Sequence, residues 1–244
     1  MEAELQYRVV LAVDVERSAG RGNVALDRVR EVLAATLRES VAESGIDWQA
    51  CLCDDLGDGF RVTLPAGVRK TRLIHPLVHE LAVRLRAHNR TAGPSTRIRI
   101  RIALHAGDVR LDPAGPVTGQ PLEVLARLLD AAVARAALAE APETVPAVLV
   151  VSGHFHDETV RHGYPGIDPD AFRQVTVAEK EYSADAWLHL PGYAAPPPES
   201  VPADAAREPA AGRSKMVNNA SGHGVINAMQ HGTQNINLPL PGNR

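Results

Sequence analysis

The segment Leu56-Gly57-Asp58-Gly59 lies between two short strand-like runs, Trp48 to Cys53 and Phe60 to Leu64. An Asp-Gly pair in that setting is a strong short-range signal for a β-hairpin, because its tight turn needs residues that tolerate a positive φ. The hairpin would carry the Asp58 carboxylate at its tip. A second acid, Asp14, closes the run Tyr7-Arg8-Val9-Val10-Leu11-Ala12-Val13, which reads as a strand. Two acids at neighbouring strand ends suit divalent cations of phosphoryl-transfer chemistry, since Mg²⁺ takes one or two carboxylates and completes its shell with phosphate oxygens. The same two residues also suit a plain strand end and a plain turn.

The remaining periodicities give an alternating layout. After Asp14, Leu26, Val29, Leu33, Leu37 and Val41 recur every three or four residues, which predicts an amphipathic helix from about Val24 to Glu43. A second helix is expected from about Leu73 to Asn89. Ile98-Arg99-Ile100-Arg101-Ile102 alternates strictly and reads as a strand with one buried face, turning at Ala106-Gly107 before a return strand from Val109. A helix after Pro121 is expected to run to about Glu140. Val148 to Val151 is fully apolar, as suits a central strand covered by helices. A short helix near His156 to Arg161 and strands around Phe172 to Val177 and Ala186 to Leu190 complete the domain. The fold class is α/β (α+β), a ferredoxin-like sandwich of a mixed sheet flanked by helices.

With 244 residues there is room for one domain, taken as 1–190, a Pro/Ala-rich linker at 191–215, and a tail at 216–244. The net charge of −3 offers no electrostatic case for a nucleic-acid partner. Cys51 and Cys53, two apart in a strand-like run, are expected to be reduced core residues, because a zinc site needs more ligands. No signal peptide or membrane span is visible, so a cytoplasmic location and no membrane partner are expected. His105, at the end of an alternating strand, is read as a hydrogen-bonded structural residue, His154 and His156 as polar residues at a helix start, and His75, His79 and His88 as a surface face.

Four segments in order resemble the catalytic domain of class III nucleotidyl cyclases, over roughly Gln6 to Leu190. Leu11 to Ser18 is similar to the family's first metal-binding segment, and Asp55-Leu56-Gly57-Asp58-Gly59 to its second. Arg101 to Val109 is similar to the pattern Arg-x-Gly-x-His-x-Gly-x-Val. Gly119 to Leu128 matches the helix that carries the family's Asn and Arg. The resemblance implies a phosphorus-oxygen lyase that converts a nucleoside triphosphate to a cyclic mononucleotide and pyrophosphate. It implies two Mg²⁺ or Mn²⁺ ions per site on Asp14 and Asp58, and catalysis at a homodimer interface. Arg127 stands at the position of the Arg that stabilises transition-state charge, and Lys180 resembles a late phosphate-binding Lys.

The departures concern the base and the ribose. Glu123 stands where the family has its ribose-orienting Asn, which removes two donors and adds negative charge. The two base-selecting positions hold Asp54 and Pro116, so neither adenine nor guanine selection by the usual pair is supported.

From residue 216 to 243 there is no Asp, Glu, Lys or Arg. Charge-free Asn/Gln with spaced apolar residues suits cross-β ladders, although an ordinary disordered tail has the same look. Within it, Val225 to Ile236 resembles the amyloid signalling motifs of bacterial and fungal immune proteins, with Gln230, Gly232 and Asn235 at the matching spacing. That resemblance implies a role in bacterial antiviral defence and a receptor or effector carrying a similar motif. Two readings stand: a cyclase-like signalling enzyme, and a catalytically degenerate cyclase-homology adaptor that signals through its tail.

Overall fold

The computed structural model describes residues 4–112, 115–179 and 182–193, all within the unit Met1–Ala195. Lys180 and the motif at Val225 to Ile236 lie outside the described residues. The described residues build a seven-stranded sheet from β1 (Glu4–Val15), β2 (Leu52–Asp55), β3 (Gly59–Thr63), β4 (Ile100–Leu111), β5 (Ala147–Ser152), β6 (Arg173–Glu179) and β7 (Tyr182–His189). Their order across the sheet is β2-β3-β1-β4-β5-β7-β6. Only β4 and β5 run parallel; the other neighbours are antiparallel. This mixed sheet has helices on both faces.

Side chains alternate across a strand, and β1 shows the consequence. Val9, Leu11, Val13 and Val15 face one core with Leu33 and Leu37 of α1 (Asn23–Glu43) and Leu81 and Leu85 of α2 (His79–Thr91). Val10 and Ala12 face a second core with Leu125 and Leu128 of α3 (Gln120–Leu129) and Leu138 of α4 (Ala132–Glu140). Fully buried leucines such as Leu33 and Leu37 each contribute about 1.5–3 kcal/mol over an exposed position. The polar residues on the buried stripe of α1 are satisfied by its own backbone: Thr36 Oγ1 donates to the Val32 carbonyl at 2.7 Å and Ser40 Oγ to that of Thr36 at 2.8 Å. β5 is buried at all six positions, as its unbroken apolar run requires between two helical layers.

Several boundaries differ from expectation, each for a local reason. No turn forms at Ala106-Gly107: β4 runs straight through and pairs with β1 from Glu4↔Leu111 to Val15↔Ile100. Gly107 serves instead as a landing place for α3, since a Cβ there would lie 2.7 Å from Pro121 Cγ. The helix expected to reach Glu140 breaks at Asp130-Ala131 into α3 and α4, where Ala131 takes an extended ψ of 126°. Before α2, Leu73–Val78 forms a widened turn in which His75 leaves helical geometry, because a residue preceding proline is disfavoured there. Trp48–Ala50 is a 3₁₀ turn capped by the Asp47 carboxylate, which accepts from the Gln49 amide at 2.9 Å, so β2 starts only at Leu52.

The cysteines are free thiols, as expected, but not core residues: Cys51 is half-buried before β2 and Cys53 is exposed on it. Burial pushes the Cys51 thiol up to about 11. No helix among the described residues is long and apolar enough to cross a membrane.

Candidate functional site

Three neighbouring strands meet at the end of β1. Asp14 is paired with Gly59 of β3 on one side and Arg101 of β4 on the other. Asp58 occupies the β2–β3 turn, and its carbonyl accepts from the Val15 amide at 3.1 Å, which ties the turn to β1. Gly59 is flush against β1; a Cβ there would sit 2.0 Å from the Val13 carbonyl oxygen. The Asp55 side chain shapes the same turn by accepting from the Gly57 amide at 2.8 Å. That bond, together with Arg30, holds the Asp55 carboxyl below its ordinary value. The hairpin thus brings Asp14 and Asp58 to one end of the sheet.

Both acids already have partners. The Arg101 guanidinium grips Asp14 in two-pronged fashion, Nε donating to Oδ1 at 3.0 Å and Nη2 to Oδ2 at 2.5 Å. Ser18 Oγ donates to Asp58 Oδ2 at 2.6 Å. Burial raises the Asp14 carboxyl above its ordinary value against the pull of Arg101, and the charges of Asp58 and Asp130 push the same way. Asp130, just past α3, is therefore a third acid within electrostatic reach.

The turn after Asp14 is held by Arg21, whose guanidinium donates to the carbonyls of Arg17 at 2.9 Å, Glu16 at 2.8 Å and Arg97 at 2.6 Å. Arg17 has a φ of 52°, a left-handed conformation that costs a residue with a side chain about 1–2 kcal/mol. The helix α1 then begins without a side-chain cap or an acid in its first turn. Arg17, Arg21, Arg97 and Arg99 line a cleft of about 300 Å³ beside this turn together with Glu16 and Glu143, which pair with Arg99 at 3.4 Å and with Arg97 at 3.1 Å.

The other sequence-derived site residues fall as follows. Asp54 lies opposite Arg61, with Nε at 3.0 Å and Nη2 at 2.9 Å from its Oδ2. Arg61 in turn pairs with Ala12, so this ion pair shares the face of Asp14 and α3, because directly paired residues point to one side. Pro116 is exposed in the β4–α3 loop. Glu123 and Arg127 are one turn apart on α3, away from its buried Leu122, Leu125 and Leu128. No described hydrogen bond or ion pair joins either of them to Asp14 or Asp58; the cation on Asp14 is Arg101. Sequence reasoning gives Arg101, Ser18 and Arg61 no site role: Arg101 and Ser18 appear only as end positions of two family-like segments, and Arg61 as a strand residue.

His105 has the structural partner expected of it: Nδ1 lies 2.7 Å from Ser152 Oγ. Burial, then the neighbouring His154, pushes the His105 imidazole down to about 4. Ser152 Oγ also accepts from the Phe155 amide at 3.1 Å and so caps α5 (Gly153–Glu158).

Among the described residues no group of three or more His, Cys, Asp or Glu forms a cage for a metal. Two carboxylates are nonetheless the donor set a hard divalent cation uses when a phosphate supplies further oxygens. Asp14 and Asp58 are two such carboxylates, both oxygens of Asp14 being held by Arg101.

No protein family model matches the chain, and no curated protein matches it. Among solved structures the chain is similar to an adenylate/guanylate cyclase/hydrolase from Silicibacter pomeroyi, at 19% identity and a TM-score of 0.56, over 78% of this chain and 99% of that one. It is similar also to the guanylyl cyclase Cya2, at 15% identity and a TM-score of 0.54, over 77% and 92%. The adenylyl cyclase CyaB from P. aeruginosa gives 14% identity and a TM-score of 0.52, over 77% and 94%. At such identities the likeness establishes a shared fold.

Proposed function

We propose that this chain is a nucleotidyl cyclase-like signalling protein that turns a nucleoside triphosphate into a cyclic mononucleotide and pyrophosphate. The observation that carries the reading is the convergence of Asp14 and Asp58 at the end of β1, on a fold shared with adenylyl and guanylyl cyclases. In the reaction the ribose 3′-hydroxyl gives its proton to water as its oxygen attacks the α-phosphorus, and the bond from that phosphorus to the oxygen bridging to the β-phosphate breaks, releasing pyrophosphate. Asp14 and Asp58 would hold Mg²⁺ or Mn²⁺, which supply charge neutralisation and a lowered hydroxyl pKa.

The chain's own residues then take three roles. The uncapped start of α1 and the Arg17 side chain in the turn before it favour the β- and γ-phosphates, because helix N-termini and guanidinium groups attract anions. Arg127 stabilises charge building on the α-phosphate. Its position on the outward side of α3, unconnected to Asp14, supports supply of Arg127 and Glu123 by a second copy of the chain. Lys180 is assigned to the phosphates as well. The pair Asp54–Arg61, with Pro116 across the interface, faces the base.

A second reading is a degenerate domain that acts as an adaptor, with the tail at 216–244, free of charged residues up to Asn243, passing a signal by homotypic assembly. It is favoured by Glu123, which places a carboxylate where a ribose-binding amide is expected. Incubation of the purified chain with Mn²⁺ and each of the four nucleoside triphosphates, followed by mass spectrometry, decides between them. A cyclic product that disappears in Asp58→Ala supports the enzyme. A folded dimer that yields no product from any of the four refutes it in favour of the adaptor.

A further inference from the structure

Asp14 and Arg101 come from strands 87 residues apart in sequence and meet as a directly opposed pair. Both carboxylate oxygens accept from the guanidinium. The side chains are 13% and 15% exposed, so water screens the pair poorly. A planar guanidinium set two-pronged on a carboxylate is the strongest geometry this ion pair can adopt. A divalent cation on either oxygen of Asp14 would stand within a few ångströms of the Arg101 charge, where repulsion between like charges is large. The guanidinium and the cation therefore compete for one carboxylate.

We propose that Arg101 is a positioning residue that gates cation loading: it occupies Asp14 as an internal counter-ion, and a divalent ion binds fully only when the guanidinium swings off. This rests on the reading of Asp14 and Asp58 as cation ligands. Three further observations point the same way. The Asp58 carboxylate keeps one oxygen free of the Ser18 hydrogen bond, so it can engage an ion while Asp14 is still closed. The charges of Asp58 and Asp130 both act against the ionised form of Asp14, a repulsion that a bound cation would relieve. No other described acid bonds to Arg101, so its charge is committed to Asp14. Mutual exclusion of two ligands makes the coupling reciprocal: whatever draws Arg101 away strengthens the ion, and the ion loosens Arg101.

The test is Mn²⁺ titration of the full chain without nucleotide, read by electron paramagnetic resonance of the free aquo ion. Arg101→Met removes the competing charge and is expected to tighten Mn²⁺ binding about tenfold or more, within the usual range of coupling between sites. Arg101→Lys, which keeps the charge but loses the two-pronged grip, falls between it and the wild type. Asp58→Asn reports the site, weakening binding in either background. Unchanged or weaker Mn²⁺ binding in Arg101→Met, with binding still sensitive to Asp58→Asn, overturns the gate and leaves the cation site standing. Binding insensitive to Asp58→Asn in every background overturns the cation site itself. Should Arg101→Met fail to fold, the wild type answers alone. Saturating Mn²⁺ is expected to raise phenylglyoxal labelling of Arg101, read by peptide mass spectrometry, and unchanged labelling overturns the gate.

Discussion

Gly59 leaves no room for a side chain at the point where β3 meets β1. A Cβ there would lie 2.0 Å from the Val13 carbonyl oxygen and 2.8 Å from Asp14 Cα. Carbon and oxygen in close contact between strands sit at about 3.3–3.6 Å, so Gly59→Ala needs the strands to part by about 1.3 Å or more. Both clashing atoms are backbone, and no rotamer change relieves them. The β1–β3 register covers Val10↔Thr63 to Asp14↔Gly59, and parting its end costs two or three ladder bonds at about 0.5–1.5 kcal/mol net each.

Overpacking strain of about 1–3 kcal/mol adds to this, for a total expected loss of at least about 2 kcal/mol. Gly57→Ala is the matched control: it sits in the same turn with a φ of 94° and open space around it, so it carries only backbone strain of about 1–2 kcal/mol. Urea unfolding of the two variants and the wild type, compared at constant slope, measures the difference. If Gly59→Ala lies within about 1 kcal/mol of wild type, or is milder than Gly57→Ala, the close approach of β3 to Asp14 is refuted.

Other outcomes follow from the same geometry. His105, held down at about 4, stays neutral in the folded chain while the unfolded chain takes a proton near the ordinary 6.5. Its contribution to stability is therefore fully present above about pH 6.5 and is lost as pH falls towards 4, by about 2 kcal/mol after allowance for its partial exposure; an imidazole that titrates near 6.5 by NMR would refute this. Phe155→Ala empties a fully buried site beneath α5 and is expected to cost about 3–5 kcal/mol by chemical denaturation. A double-mutant cycle on Asp54 and Arg61 should return a coupling of at most about 1 kcal/mol, since the pair is partly solvated. The exposed pair Arg28–Glu31 is expected to contribute less still, about 0.5 kcal/mol or below.

Sequence alone determined what depends on near neighbours. The stripe Val29, Leu33, Leu37 and Val41 encodes the buried side of α1, because a helix repeats every 3.6 residues. The run at Val148 to Val151 encodes a central strand, and Gly57-Asp58-Gly59 a turn that raises a carboxylate. Asp14 and Asp58 were legible as a pair for the same reason: both mark strand ends. Tertiary structure alone decided what depends on register. Gly107 reads as a turn residue in the sequence and serves as a contact for Pro121, which only the packing of α3 on β4 reveals. Arg101 reads as a polar position in an alternating strand and the first residue of a family-like segment, with nothing local to say that it is the cation that closes Asp14. Local periodicity says which way a side chain points. Which side chain it meets 87 residues away is set by how two long strands align, and that alignment is fixed by the two hydrophobic cores on either side of the sheet.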